Sequence, residues 1–470
     1  MTNTFDFSFE RRTSDSSGKR PPSDPLRILI VADLGGTRQS RTAADLATRP
    51  FQKMDVDEFE TYLSDENPSL ALSDSTLSVR EMEDFHPDQV LQAVPAMQAL
   101  IDLRSRLKSP ATFESAASEV RGMLGATDST AAAAAESDSD TMRRLLGGVV
   151  PQDAPTQTPK SAVDAMIQQA VADHVTPSAD PKAEQYIKAV EAALADHLRA
   201  VLHDRAFQST EAAWRGLELL VSRIETDETL SLHVWNASKT ELIEALGTAE
   251  TSPDDTVLHH RLVRERAEKP FVLIVPTFAF AAQADDIRLL ATLGAMAGRT
   301  DAVVLASVEF GLVQTQDWDA LRESGMAQHI AAFAPRFLLR QPYGKGSDPI
   351  GSFAFTEITA PERPDGYLWG AGSIAGAVII ANAFSDGGWS AALNTSLHFD
   401  DLPFVYYDAG GEQVMKPCAE VEMSDTEAEA VLATGTIPLI AVRNQNAVRL
   451  PQFRTLSNAA SGGAFGPFAL

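Results

Sequence analysis

Three nearly continuous apolar runs constrain the fold most: Leu26–Ala32 (LRILIVA), Phe271–Val275 (FVLIV) and Ala302–Val308 (AVVLASV). A strand with one face in water alternates apolar and polar residues, whereas an unbroken run of strand length is buried on both faces and needs helices above and below it. The helical pattern over Ile287–Met296 lies between the second and third runs. Strand, helix, strand predicts a right-handed crossover in a mostly parallel sheet. The fold class expected is therefore α/β.

Phe207–Leu242 adds a helix–turn–strand unit. Ser209 and Thr210 are good cap residues, and Trp214, Leu217, Val221 and Ile224 recur at steps of three and four. That spacing makes one apolar stripe, with Glu211, Arg215 and Glu218 on other faces. Asp227 and Glu228 mark a turn, and Leu230, Leu232 and Val234 alternate as in a half-buried strand. These residues are suited to packing. They include no nucleophile, metal set or phosphate loop.

The chain divides by composition. Residues 1–25 are polar and end in prolines, which predicts a flexible arm, and residues 456–470 form a flexible tail. After Leu26–Ala32 come a strand and helix within Phe51–Leu63, a strand candidate at Leu77–Phe85, and a helix from Pro87 broken at Pro95. Residues 109–160, with AAAAAESDSD and PQDAPTQTPK, read as a low-complexity linker holding a short amphipathic island at Met142–Val150. Helical periodicity returns at Val163–Val171 and Ile187–Val201. Further on are Arg336–Leu339, an uncharged stretch Gly366–Ser385, a strand near Phe404–Tyr407, and Ala419–Met423 followed by a helix from Asp425 to Gly435. In Gly366–Ser385, Gly372 and Gly376 form a GxxxG step. The acidic flanks and the lack of a second candidate span favour a closely packed core helix over a membrane span.

Charge and motifs narrow the function. A net charge of −26 argues against nucleic-acid or anionic-membrane binding, and whole chains repel one another. Self-association must then use local complementary or apolar patches. The lone Cys418 excludes an internal disulfide, and no apolar leader precedes the core, so the compartment expected is cytoplasmic. Gly344-Lys345-Gly346-Ser347 fails as a phosphate loop because Gly346 stands where Ser or Thr should hold magnesium. Asp33-Leu34-Gly35-Gly36 lacks dinucleotide spacing. Adjacent His259 and His260 point in different directions and complete no zinc set. No catalytic residue, metal site or cofactor is expected.

Several blocks of sequence resemble a known family. Phe207-Gln208, Trp214-Arg215-Gly216-Leu217, Thr226-Asp227-Glu228 and Asn236–Leu242 are similar to the large contractile-sheath subunit of type VI secretion systems. So are Ala334-Pro335-Arg336 through Tyr343-Gly344, Tyr367-Leu368-Trp369-Gly370, Gly388-Trp389, Asp401-Leu402-Pro403 and Ser424-Asp425. Upstream, Leu29–Gly36, Met54–Phe59, Asp84–Val90 and Leu100–Leu107 resemble the small sheath subunit of the same system. The resemblance implies a small-subunit-like region at 26–108 fused to a large-subunit-like domain at 161–455. It further implies a sheath-type domain with a mixed, mostly parallel sheet flanked by helices, plus a small α/β N-terminal region.

The expected function is a mechanical, non-enzymatic subunit that assembles around an inner tube and contracts to propel it. Expected partners are further sheath subunits, the inner tube ring protein, baseplate components and an AAA+ disassembly ATPase, with no membrane insertion. Trp214, Arg215, Gly216, Leu217, Pro335, Arg336, Tyr343, Gly344, Leu368, Trp369, Gly370 and Trp389 are the core or motif residues so implied. The family's large subunit continues into a lattice-linking strand, whereas this sequence ends at Leu470. The alternative expectation is thus a non-polymerising homologue acting as cap, adaptor or assembly regulator.

Overall fold

The structure is a computed structural model that describes residues 24–37, 42–72, 75–131, 183–248, 251–391, 393 and 397–457. The Met142–Val150 island, the Val163–Val171 helix and nearly all of the arm and tail lie outside these residues. So does most of the stretch read as linker. The chain forms two compact units: Met1–Pro68 with Gln208–Pro342 and Ala360–Leu470, and Ser69–Phe207 with Tyr343–Thr359.

The first unit is built on one sheet. Its strands are β1 (Leu26–Ala32), β2 (Gln52–Met54), β3 (Leu230–Asn236), β4 (Leu273–Pro276), β5 (Ala279–Phe280), β6 (Val303–Val308), β7 (Ile330–Ala334) and β8 (Thr436–Pro438). Their order is β8-β7-β6-β4-β1-β3-β2, with β5 beside β6. Only β2 runs antiparallel to its neighbour, so the sheet is mixed and mostly parallel as expected.

β1 sits in the interior of the sheet. It pairs with β3 from Leu26↔Leu230 to Ala32↔Asn236, and with β4 from Ile28↔Leu273 to Val31↔Pro276. The sheet therefore crosses the division between the two sequence regions. The first apolar run is covered by both halves of the chain.

Alternation along the strands divides the core. On one face Leu29, Val31, Ile274, Val304, Ala306 and Ala332 pack with Leu289, Leu290, Leu293 and Met296 of helix Ala284–Thr300. On the other face helix Gly372–Gly387 crosses β4, β6 and β7. The glycine step sets how close it comes: a Cβ at Gly376 would stand 2.5 Å from Phe333 Cζ, and one at Gly372 2.9 Å from Phe333 Cβ. Close packing inside a core is thus the use of this GxxxG step. Among the described residues no helix is long and apolar enough to cross a membrane.

Several boundaries differ from expectation. The helix expected over Gly366–Ser385 begins at Gly372, because Trp369–Gly370 is a strand paired with Phe337–Leu338. The Trp214 helix runs Arg205–Arg223, so Ser209 and Thr210 lie inside it. Its first amides are met by Asp204 Oδ1, which accepts from Ala206 N at 2.9 Å and Phe207 N at 3.1 Å. Leu77–Phe85 resolves into a short strand, Thr76–Ser78, and a 3₁₀ turn, Met82–Phe85. Of Ala419–Met423, only Ala419 makes a bridge, to Phe337. Pro95 does break its helix, opening the second segment, Pro95–Lys108, after Pro87–Ala93.

The second unit is mostly helical. Helix Pro95–Lys108 packs on Ala183–Leu202, where Arg104 Nε donates to Glu191 Oε1 at 2.6 Å. Helix Phe113–Ala131 occupies the start of the stretch read as linker. It is ordered there because Ala116, Ala117 and Val120 are buried and Phe113 meets Tyr186 at 6.4 Å. Small side chains that suggest low complexity also allow close helix packing.

Candidate functional site

The Trp214 helix carries the first group of motif residues. Trp214 is fully buried, and its Nε1 donates to Leu34 O at 3.1 Å. Phe59 and Tyr62, from helix Val56–Glu66, meet the indole at 6.0 and 5.8 Å. Leu217 is equally buried, and a Cβ on Gly216 would stand 2.6 Å from Ile374 Cδ1, so this glycine brings the helix close to Gly372–Gly387.

Beside the indole lies a buried ion cluster. Glu211 has no exposed surface. Its Oε1 accepts from Arg215 Nε at 2.8 Å, one helical turn on, and from Arg340 Nε at 2.8 Å. Burial alone would raise the Glu211 pKa. The charges of Arg340 and then Arg215 outweigh it and hold the carboxyl below its usual value. One turn further, burial raises the pKa of Glu218, against the pull of Arg215.

A second group converges on the two-stranded pair Phe337–Leu338 and Trp369–Gly370. Pro335 follows β7 through a cis peptide. Arg336 then grips Glu420 in a bidentate pair, Nε to Oε2 at 2.8 Å and Nη2 to Oε1 at 2.6 Å. Leu339 N donates to Leu368 O at 3.0 Å, and a Cβ at Gly370 would stand 2.7 Å from Leu339 Cγ. Trp369 Nε1 donates to Pro364 O at 2.9 Å. Lys416 ties the same loop, donating to Glu362 O and Arg363 O at 3.0 Å each and lying 5.1 Å from the Tyr367 ring centroid.

Lys416 also closes the base of a hairpin, Tyr406–Ala409 with Glu412–Met415, turned by Gly410 and Gly411 at φ 72° and 98°. Positive φ at both central residues suits the tight hairpin turn. Phe404 and Tyr406, with rings 5.9 Å apart, are 41% and 58% exposed, although large aromatic side chains usually seek cover.

The remaining motif residues lie apart. Trp389 Nε1 donates to Asp24 O at 2.7 Å and its ring meets Phe384 at 4.9 Å. Tyr343 and Gly344 belong to the second unit, where Tyr343 N donates to Glu357 Oε2 at 2.7 Å and its ring meets His86 at 5.1 Å. Gly344–Ser347 is a turn closed by Ser347 N to Gly344 O at 3.1 Å.

Arg340 joins the first two groups, yet sequence reasoning singled out neither it nor Glu211, Glu420 or Lys416 as site residues. The four-residue spacing of Glu211 and Arg215 was a readable signal. The Arg340–Glu211 pair, 129 positions apart, left none. Among the described residues no group of three or more His, Cys, Asp or Glu stands ready to hold a metal ion.

Comparison with known families places these features. The VipB family, described as EvpB/VC_A0108, tail sheath N-terminal domain, matches residues 184–320 and 310–456, more than half of the chain. The family described as Type VI secretion system, VipA, VC_A0107 or Hcp2 matches residues 17–127. The chain is also similar to the type VI secretion system sheath protein TssC1 of Pseudomonas aeruginosa. The two are 29% identical over 292 residues, which cover 56% of this chain and 58% of that relative. The chain thus spans less than two thirds of the relative's length. With a VipA-type region followed by a VipB-type sheath domain in one polypeptide, the chain belongs to the type VI secretion sheath family.

Proposed function

We propose that this chain is a structural subunit of a type VI secretion contractile sheath. Copies assemble with one another and with other sheath subunits around an inner tube of ring protein, then contract to propel it. The supporting observation is the occurrence of both sheath families in order along one chain, with the β1 strand of the first paired inside the sheet of the second. Such a protomer carries its small and large parts in fixed one-to-one ratio.

The role is mechanical and cytoplasmic, with no reaction catalysed. Contraction is a cooperative change between two packings of a bistable lattice, and its energy is stored in the interfaces between protomers. Baseplate components seat the sheath, and an AAA+ ATPase dismantles the contracted form.

With a net charge of −26, copies repel at long range and must meet through local patches. The aromatic pair on the hairpin is the patch assigned to contact with a second copy. Replacing Phe404 and Tyr406 together with Ser should leave the unfolding free energy within about 0.5 kcal/mol of the parent, since both are exposed. It should reduce assembly measured by sedimentation. Unchanged assembly would remove the hairpin from the lattice.

Negative-stain electron microscopy of the purified chain, alone and with its tube protein, tests the whole reading. Tubules with a cogwheel cross-section are expected. Discrete small particles under both conditions would replace this reading with that of a cap, adaptor or assembly regulator.

A further inference from the structure

One end of the main sheet gathers more positive than negative charge: Glu265 is the carboxylate that acts on Arg266, and it is already ion-paired with Arg261. Across the ladder Arg27 pairs with Ser231, Leu29 with His233, and Lys53 of the edge strand β2 with His233. Strand alternation therefore puts Arg27, Ser231, His233 and Lys53 on one face. The segment leading to β4 covers this face. Its Arg266 guanidinium lies 4.4 Å from the Phe271 ring centroid and 5.1 Å from that of Phe51, and the His233 ring meets Phe271 at 5.4 Å.

The polar atoms here are unusually idle. Arg266 Nε and His233 Nδ1 are buried and make no hydrogen bond among the described residues. Arg27 reaches only Pro270 O, at 3.4 Å. Lys53 is exposed and forms no ion pair among the described residues. Nearby Arg261 is already engaged by Glu265 and by Arg49 O. Elsewhere Arg49, Arg104, Arg336 and Arg340 each hold a carboxylate. Among the described residues Arg27, Lys53 and Arg266 are in contact with no carboxylate, and with 65 Asp and Glu in the chain this does not reflect scarcity.

Like charges gathered and partly desolvated are unfavourable until an anion joins them. Burial, then Arg266, Lys53 and Arg27, push the His233 pKa down to about 4, so its imidazole is neutral near pH 7. Ser231 Oγ lies 3.3 Å from His233 Nε2. When that hydroxyl donates, the ring proton sits on Nδ1, the atom without a partner.

We propose that Arg27, Lys53, His233 and Arg266 form a binding site for a phosphate-class oxyanion. The guanidinium of Arg266, packed between two phenyl rings, supplies an oriented donor, and His233 Nδ1–H supplies a second. Arg27 and Lys53 add charge from the sheet face and its open edge. The site takes a tetrahedral dianion either as the free ion or as a phosphate monoester on a larger molecule.

The test is calorimetric titration of the full chain with inorganic phosphate, and separately with phosphoserine, at constant ionic strength. In parallel, the His233 ring signals are followed by NMR, assigned by their loss in His233→Gln. Saturable phosphate binding with a matching His233 shift is expected. Arg266→Gln should weaken it about tenfold and Lys53→Gln about threefold, while exposed Lys108→Gln leaves it unchanged. If Arg266→Gln fails to fold, the edge residue Lys53 still carries the comparison.

Absence of saturable binding, an unmoved His233 signal, or equal loss in Lys108→Gln overturns the site. Equal affinity for phosphoserine assigns the natural ligand to a larger molecule. Binding of phosphate alone assigns it to the free ion.

Discussion

Glu211 illustrates what single residues contribute. Its fully buried carboxylate is the acceptor shared by two arginines, so removing its charge withdraws a counter-ion from both at once. Glu211→Gln should cost about 3–5 kcal/mol in urea unfolding. The pH dependence has a definite sign. The folded-state carboxyl ionises below its ordinary value of 4.5, so its contribution is complete above that value and is lost as pH falls through the lowered one. His233 acts in a higher window. Its folded pKa of about 4 lies under the ordinary 6.5, so the neutral ring favours the fold above 6.5 and loses that advantage as pH falls toward 4. A pH series of unfolding midpoints should therefore decline between 6.5 and 4, and His233→Gln should flatten that decline. Trp214→Ala removes a buried ring and strands the Leu34 carbonyl, with an expected loss of about 3–5 kcal/mol. Trp214 was legible from its place in a three-and-four stripe. The partner of Glu211 was not, because Arg340 lies on another segment and single-sequence periodicity carries no information about distant pairs.

Elements were legible where their own residues determine them. The runs Leu26–Ala32, Phe271–Val275 and Ala302–Val308 all appear as strands or as strand-bearing segments, because apolar residues on both faces suit only a covered sheet. Boundaries failed where tertiary pairing prevailed over composition. Tyr367–Gly370 belongs to the same uncharged stretch as the helix residues up to Ser385, yet strand pairing with Phe337–Leu338 keeps Trp369 and Gly370 extended. The Gly372–Gly387 helix shows why its glycines are needed. A side chain at Gly376 would enter the ring of Phe333, whose own freedom is limited by Phe453 at 5.9 Å. Gly376→Val should thus lower stability by about 1–3 kcal/mol through overpacking, and Gly376→Val with Phe333→Leu should recover part of that loss. Equal stability of the single variant and the parent would refute this placement of the helix.

At the scale of the whole molecule, each compact unit draws on both sequence regions. β1 lies inside the sheet of the first unit, and Pro95–Lys108 packs on Ala183–Leu202 in the second. Sequence periodicity could show that β1 is covered but not by what, since its neighbours lie more than 200 positions away. A protease site inserted between residues 131 and 183 should yield fragments that stay together on size exclusion. The cleaved form should then melt at a temperature that falls on dilution more steeply than that of the intact chain. Separation of the fragments under native conditions would contradict the pairing of β1. The position of this strand also imposes an order on synthesis. A ribosome makes β1 first, then roughly 200 further residues before either flanking strand emerges, which at about 5–20 residues per second is a delay of about 10–40 s. Throughout that interval a seven-residue, almost wholly apolar segment has neither edge paired. The nascent chain is then most open to aggregation, and holding β1 apart until β3 and β4 arrive is a requirement that separate synthesis of two subunits would not impose in the same way.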